Sequence, residues 1–467
     1  MLHKLTLLSA AVLMLFGLSV VSHARVNRGG VMLAKDDRNE AFDEFERLLP
    51  MVKSGDEKEA EEVNEVLEKG KSVWLTMAAV EAVRQGEIDK SGAGKPFMPK
   101  VLALMGEDFK KLHKEEIFTV NVIACLGVLA KGKEEAAVEV VNTLVAWQKW
   151  SENTVVRLRH MAERILTDLT GEDCTLTNET VDFWEWWARN KAAAQPDKAP
   201  EKRSKTAPVI FKEPVVGTRI VFVIDVSDSM KHPISEDDLP KIRKLANNLD
   251  WSKMPDHPCP LDLAKAELAY SIDHLRPDDA GDGKKKKKGT RSSSKNDPEA
   301  RTFAIITYSH DVNLFTEDGW VDATDSNCDE WMVNVHNLEL ESTTNIHGAL
   351  LKAFKFNGTK KESDEPELDK ECVLNGAHTI VFLTDGYPTW SNDSESPSAK
   401  DEFGNPVGDG EYVKRDKLLE LAAHLDRFRK VVINTVGIGI HDKKLMKGFA
   451  DISGGAYTDW GCKIDWK

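Results

Sequence analysis

Four short, nearly continuous apolar runs, at 219–224, 302–307, 379–383 and 431–436, constrain this chain more than any other feature of its sequence. A strand that is apolar at successive positions, rather than at alternate ones, has to be covered on both faces, which is the condition of a parallel sheet between layers of helix. The stretches 261–275, 345–356, 413–428 and 442–449 carry helical periodicity and supply the crossovers that parallel strands require. Residues 218–462 are therefore expected to form an α/β domain with a doubly wound, mostly parallel sheet. In such sheets ligands bind at the carboxyl ends of the strands.

The first half of the chain reads differently. From 36 to 192 the apolar residues return at helical spacing, as in Phe42, Phe45, Leu48 and Leu49, or Ala137, Val140, Val141, Leu144 and Val145. About seven helices joined by short connections, none able to bury its stripe alone, predict antiparallel pairs stacked into a layered all-α array. The segment resembles HEAT or armadillo repeats, chiefly in its last unit, 162–171, followed by Trp184, Trp186 and Trp187. Trp184 and Trp187 share a helical face, so packing at the end of the array is favoured over a stacking platform for a ligand such as a sugar. Between the halves, 193–217 carries Pro196, Pro200, Pro208 and Pro214 among Lys, Glu and Ala, and reads as an extended solvated linker.

Residues 1–24 hold Lys4, a mostly apolar run from Leu5 to Val21, and then Ser22-His23-Ala24, the pattern of a cleaved signal peptide. The expectation is an exported protein, periplasmic, at the cell surface or secreted, with an uncleaved N-terminal anchor as the rival. No second run of that kind follows, so no further transmembrane span is expected. Six cysteines are too few and too far apart for a disulfide-stapled scaffold or for paired zinc ligands. With 63 Lys and Arg against 78 Asp and Glu, a net charge of −15 disfavours nucleic acid as a partner.

Two strand ends carry the chemistry. The run at 219–224 leads into Asp225-Val226-Ser227-Asp228-Ser229, and the run at 379–383 leads into Thr384-Asp385-Gly386; a third loop, Ser342-Thr343-Thr344-Asn345, precedes a helix. A lone Asp-x-Ser-x-Ser is more often a turn or a helix cap than a site. Three loops of carboxylates and hydroxyls converging on one sheet edge form an all-oxygen pocket suited to a hard cation, Mg²⁺ above all. This combination resembles the metal-ion-dependent adhesion site of a von Willebrand factor A-type domain, across roughly the C-terminal half of the chain. The resemblance implies Mg²⁺, with Mn²⁺ or Ca²⁺ as alternatives, held by Asp225, Ser227, Ser229, Thr344 and Asp385, directly or through water. It also implies a protein partner that presents Asp or Glu as the last metal ligand. The chain departs from the family pattern in having Asp228 between the serines and Ser342-Thr343 where Gly-Gly is common, which makes Thr343 a rival of Thr344.

Insertions at about 231–260, 276–301, 357–377 and 387–411 are expected to rim or flank the pocket and to tune the partner. The lysine tract 284–288 reads as a solvated insertion rather than a binding site for an anionic polymer. No HExxH, GxSxG or phosphate-binding GxxxxGK followed by Ser or Thr occurs, and His310 and His347 stand alone in or near loops, so no catalytic residue is assigned. The expectation is an exported, non-enzymatic binding protein. Its rivals are a metal-assisted hydrolase and an ion-independent adaptor acting through the helical half.

Overall fold

The four apolar runs pair side by side in a computed structural model that describes residues 40–70, 72–191, 198–203, 209–210, 213–277, 299–359, 370–400 and 406–465. They become β3 (Arg219–Asp225), β4 (Thr302–Tyr308), β7 (Thr379–Thr384) and β10 (Val432–Gly439), and β11 (Tyr457–Gly461) extends the sheet. The order is β11-β10-β7-β3-β4-β5, with all neighbours parallel up to β4. The short β5 (Val312–Leu314) and β6 (Val321–Asp322) pair antiparallel with β4. The signal-like segment 1–24 and the lysine tract lie outside the described residues.

Strand geometry explains why successive apolar residues are needed, because alternate side chains point to opposite faces. Ile220, Phe222 and Ile224 pack under α10 (Pro260–Asp273) and α11 (Asp325–Asn334), in one core with Leu263, Leu268 and Cys328. Val221 and Val223 face the other way, into a core with α12 (Ile346–Lys355), α14 (Arg415–Asp426) and α15 (Lys443–Ser453). The crossover helix α15 is capped at both ends. The Asp442 side chain accepts from the Lys444 and Leu445 amides, and Gly454 closes it at φ +68°. The doubly wound, mostly parallel α/β architecture expected for the second half is thus the one present.

The first half contains eight α-helices among the described residues: α1 (Glu40–Ser54), α2 (Glu57–Lys69), α3 (Val73–Asp89), α4 (Met98–Ala103), α5 (Glu116–Ala130), α6 (Glu134–Ser151), α7 (Val156–Thr170) and α8 (Val181–Asn190). The odd helices α1, α3, α5 and α7 pack in series as one layer, while α2–α4 and α6–α8 pack as an outer one. Helix α5 is apolar nearly all round, as an inner helix must be. Trp184 and Trp187 are buried in the array core, which is the packing role.

The inner layer grips the start of the sheet. At the end of α14 the chain turns through Phe428, Arg429 and Lys430 into β10, and each odd helix holds that turn. From α1, Phe45 lies under the Arg427 guanidinium, 4.0 Å from ring centroid to charge. From α5, the Asn121 amide donates to the Phe428 carbonyl at 2.7 Å, and from α7, Arg157 donates to the carbonyls of Arg429 and Lys430. Lys430 reaches α3 and pairs with Glu81 at 2.8 Å, while Arg84 holds the same carboxylate at 2.7 and 2.8 Å. Val216, Phe428 and Val432 of the α/β half join the array's apolar core. The expected tether is therefore not solvated at its end: Ile210, Val215 and Val216 are buried, and β1 (Val209–Ile210) pairs with β2 (Glu213–Pro214).

Lys430 has φ +51°, a conformation usually left to glycine, but glycine carries no charge to meet Glu81. Burial opposes ionisation of Glu81, yet Arg84 and Lys430 outweigh it and hold this carboxyl below its usual range. Removing one member of such a group leaves buried charge unpaired. Glu81→Gln is expected to cost about 3–5 kcal/mol in urea denaturation. Lys447→Ala, which breaks an exposed helical pair with Asp451, should cost no more than about 0.5 kcal/mol. Equal effects would show that the buried cluster does not hold the halves together.

Candidate metal centre

The docked helices occupy the amino ends of the strands, because Gly217, His378 and Lys430, which they contact, stand within two residues of the starts of β3, β7 and β10. The carboxyl ends, a strand length or roughly 20 Å away, are left to the polar loops. β3 delivers Asp225 there fully buried, and its Oδ1 accepts from the Ser227 amide at 2.9 Å. That tight turn folds the chain back, and a 3-10 turn at Asp228–Lys231 follows. The hydroxyls of Ser227 and Ser229 stand 3.0 Å apart, and Ser229 donates to Asp385 Oδ1 at 2.7 Å. Asp225, Ser227, Ser229 and Asp385 are thereby one connected cluster, although Asp385 lies 156 positions from Ser229.

Thr344 completes the ring from the third loop. Its amide donates to the Thr389 hydroxyl at 3.0 Å, and its carbonyl accepts from the Thr389 and Trp390 amides at 3.1 and 3.2 Å. A methyl group placed on Gly386 would lie 3.6 Å from the Thr344 hydroxyl and 3.7 Å from that of Ser229, so both oxygens border the same small space. Thr343 turns elsewhere, its hydroxyl 3.4 Å from His310 Nδ1. Asp228 is exposed and paired with Lys231 at 2.8 Å. The extra carboxylate between the serines therefore points out of the cluster.

Three residues to which the sequence assigned no role support it. Tyr308, the register partner of Asp225 on the next strand, donates to Asp225 Oδ2 at 3.3 Å. Thr384 donates to the same oxygen at 2.6 Å and accepts from the Gly386 amide at 3.1 Å. Thr389, from the insertion at 387–411, locks the Thr344 loop as described above. The signal for Tyr308 lay in the strand ends, because aligning the first two apolar runs sets it beside Asp225. His347, by contrast, is buried against the Tyr412 ring at 4.2 Å and packs the insertion, and burial lowers its affinity for a proton. His310 is exposed, and its ring lies tilted against Trp390 with the centroids 5.0 Å apart.

Burial first, and then the neighbouring Asp225 charge, push the Asp385 carboxyl well above its usual range. Burial raises Asp225 as well, against the hydrogen bonds it receives from Ser227, Thr384 and Tyr308. Among the described residues no Lys, Arg or His side chain pairs with either carboxylate. Two buried acids facing each other through hydroxyls, with no cation of the protein's own, fit a hard divalent ion that keeps several waters. Asp225, Ser227, Ser229, Thr344 and Asp385 are the groups that would hold it. An acid whose folded-state pKa is raised favours folding below that pKa and loses the contribution as pH rises through it. Chelator-treated protein should therefore lose thermal stability as pH rises above the ordinary carboxylate range. Added Mg²⁺ should restore it, with a larger Tm increase at pH 8 than at pH 5 in differential scanning fluorimetry. A Tm insensitive to both would count against the site.

No protein-family profile and no curated protein matches the chain. Solved structures similar to it include a von Willebrand factor type A protein from Catenulispora acidiphila, 14% identical, with a TM-score of 0.29 over 52% of this chain and 38% of that one. Another is the SpRpn10 VWA domain, 10% identical, with a TM-score of 0.28 over 53% of this chain and 90% of that one. The chain thus spans well under half of the Catenulispora structure. Both neighbours are A-type domains, the family that the Asp-x-Ser-x-Ser, Thr and Thr-Asp-Gly motif of this sequence resembles.

Proposed function

We propose that this chain is an exported binding protein whose α/β half holds Mg²⁺ at the carboxyl edge of its sheet and takes an acidic side chain of a protein partner as a further ligand of the ion. One observation carries the reading: Asp225 and Asp385 are buried together, joined through Ser229, and have no cationic partner among the described residues. A bound divalent ion would relieve that repulsion and still lack ligands on its open side, where a carboxylate from outside is the best remaining donor. The buried environment of His347 and the outward position of His310 leave no histidine against the cluster among the described residues to act as general acid or base, which favours binding over hydrolysis. The helical array, docked at the other end of the strands, is then a scaffold that leaves the site open to a partner.

Calorimetric titration of Mg²⁺ and Mn²⁺ into the chain tests the ion. Saturable one-site binding is expected, abolished by Asp225→Ala. Loss of the Thr384 hydrogen bond in Thr384→Val should weaken the ion by about tenfold, equivalent to about 1.4 kcal/mol. Undiminished binding by Asp225→Ala, or none at millimolar ion, would remove the reading.

A further inference from the structure

On the side of the cluster away from β4, the sheet edge opens into a cavity of about 510 Å³. Tyr387, two residues beyond Asp385, lines it together with Arg415, Asp442, Lys443, Lys444 and Lys463. It adjoins the candidate metal centre through the backbone, since the Asp442 amide donates to the Gly386 carbonyl at 3.5 Å. The register agrees: Gly437 pairs with Thr384, so the end of β10 lies one strand spacing from Asp385, and Gly439 with its partner Gly461 forms the groove floor.

The charge of this groove opposes that of the whole chain. Four cationic side chains line it against two carboxylates, Asp238 and Asp442, in a protein whose net charge is −15. Two of the cations are already engaged, Arg415 with Asp442 at 2.8 Å and Lys443 with Asp459 at 2.7 Å. His441 lies with its ring nitrogen 2.6 Å from the Tyr457 hydroxyl, and burial lowers its affinity for a proton. Lys444 and Lys463 are exposed and form no ion pair among the described residues. Asp238 accepts from the Lys463 backbone amide at 2.7 Å and forms no ion pair with the Lys463 side chain among the described residues.

An acidic ligand approaching a chain of net charge −15 is repelled at long range, so its attraction has to be local. We infer that this groove is a second recognition surface for the partner: an acidic polypeptide segment places one carboxylate on the bound ion and lays further Asp or Glu side chains along Lys444 and Lys463. The inference rests on the proposed metal-bridged binding and adds to it a partner class, a segment with several acids rather than an isolated one. It also explains how the site selects among the many surface carboxylates that a lone ion would accept, since two unpaired cations beside the ion reward a cluster of acids.

The test compares two fluorescein-labelled peptides by anisotropy, hexaglutamate and a peptide of the same length with one Glu among glycines. In Mg²⁺ at low salt, hexaglutamate should bind about tenfold more tightly than the single-Glu peptide, and moderate salt should shrink the gap. Lys444→Glu with Lys463→Glu should erase the difference, whereas Asp385→Asn or chelator should abolish binding of both peptides. Both lysines are exposed, and a melting curve of the double variant verifies its fold. Equal affinities in the unmodified chain, or a gap that persists in the double variant, would overturn the groove and leave metal-bridged binding standing if the single-Glu peptide still needs Mg²⁺. Hexaglutamate binding that survives chelator would instead overturn the bridged reading, and with it this inference. Binding of neither peptide at millimolar Mg²⁺ would also overturn the inference, and calorimetry of the ion alone would then show whether the site itself survives.

Discussion

A strand with no polar face cannot be left beside water, and that requirement organises this molecule. β3, β7 and β10 are buried on both sides, so helices have to cover each face of the sheet, and the chain has to cross over between parallel neighbours. With both faces consumed by packing, only the two strand-end edges remain for anything polar. The structure divides them: one edge takes the helical array and the other takes the carboxylates.

The division has an electrostatic logic. At the amino edge the turn at Phe428, Arg429 and Lys430 presents carbonyls and a cation, and the inner helices answer with Asn121, Arg157 and Glu81. Burial raises Asp426, at the end of α14, to about 7, although Lys430 opposes the shift, and its Oδ1 accepts from the Val431 amide at 2.7 Å. This docking is an ordered polar contact set within a shared apolar core. In the cluster at the carboxyl edge the polar groups are instead all oxygen, and among the described residues nothing from the array reaches them. The same sheet therefore presents a satisfied edge and an unsatisfied one.

The unsatisfied edge is graded rather than uniform. Toward β4 the Thr344 loop is clamped by Thr389 and backed by the aromatic pair of His310 and Trp390. Toward β11 the floor is glycine and the walls are cationic, with Lys444 and Lys463 facing solvent. A buried pair of acids with hydroxyl donors on one side and lysines on the other has a direction, and a segment crossing it would meet chemistry that changes along its length.

Much of this was legible in the sequence, because local pattern carries it. Apolar runs bounded by turns place β3, β4, β7 and β10 to within a few residues, two of those runs end at Asp225, Ser227, Ser229 and Asp385, and the family resemblance added Thr344 from the loop before α12. The packing of Trp184 and Trp187 follows from their helical spacing. Pairings between distant segments were not legible. Thr384 and Tyr308 support Asp225 only because β7 and β4 flank β3, and the end of the linker at 215–217 lies packed against the protein because Val215 and Val216 find apolar partners. The sequence by itself determined which segments are strands and which oxygens stand at their ends, since burial on both faces dictates composition residue by residue. Only the tertiary structure decided which edge the helical array covers and which lysines flank the acids, since those choices depend on groups from tens to hundreds of positions apart meeting in space.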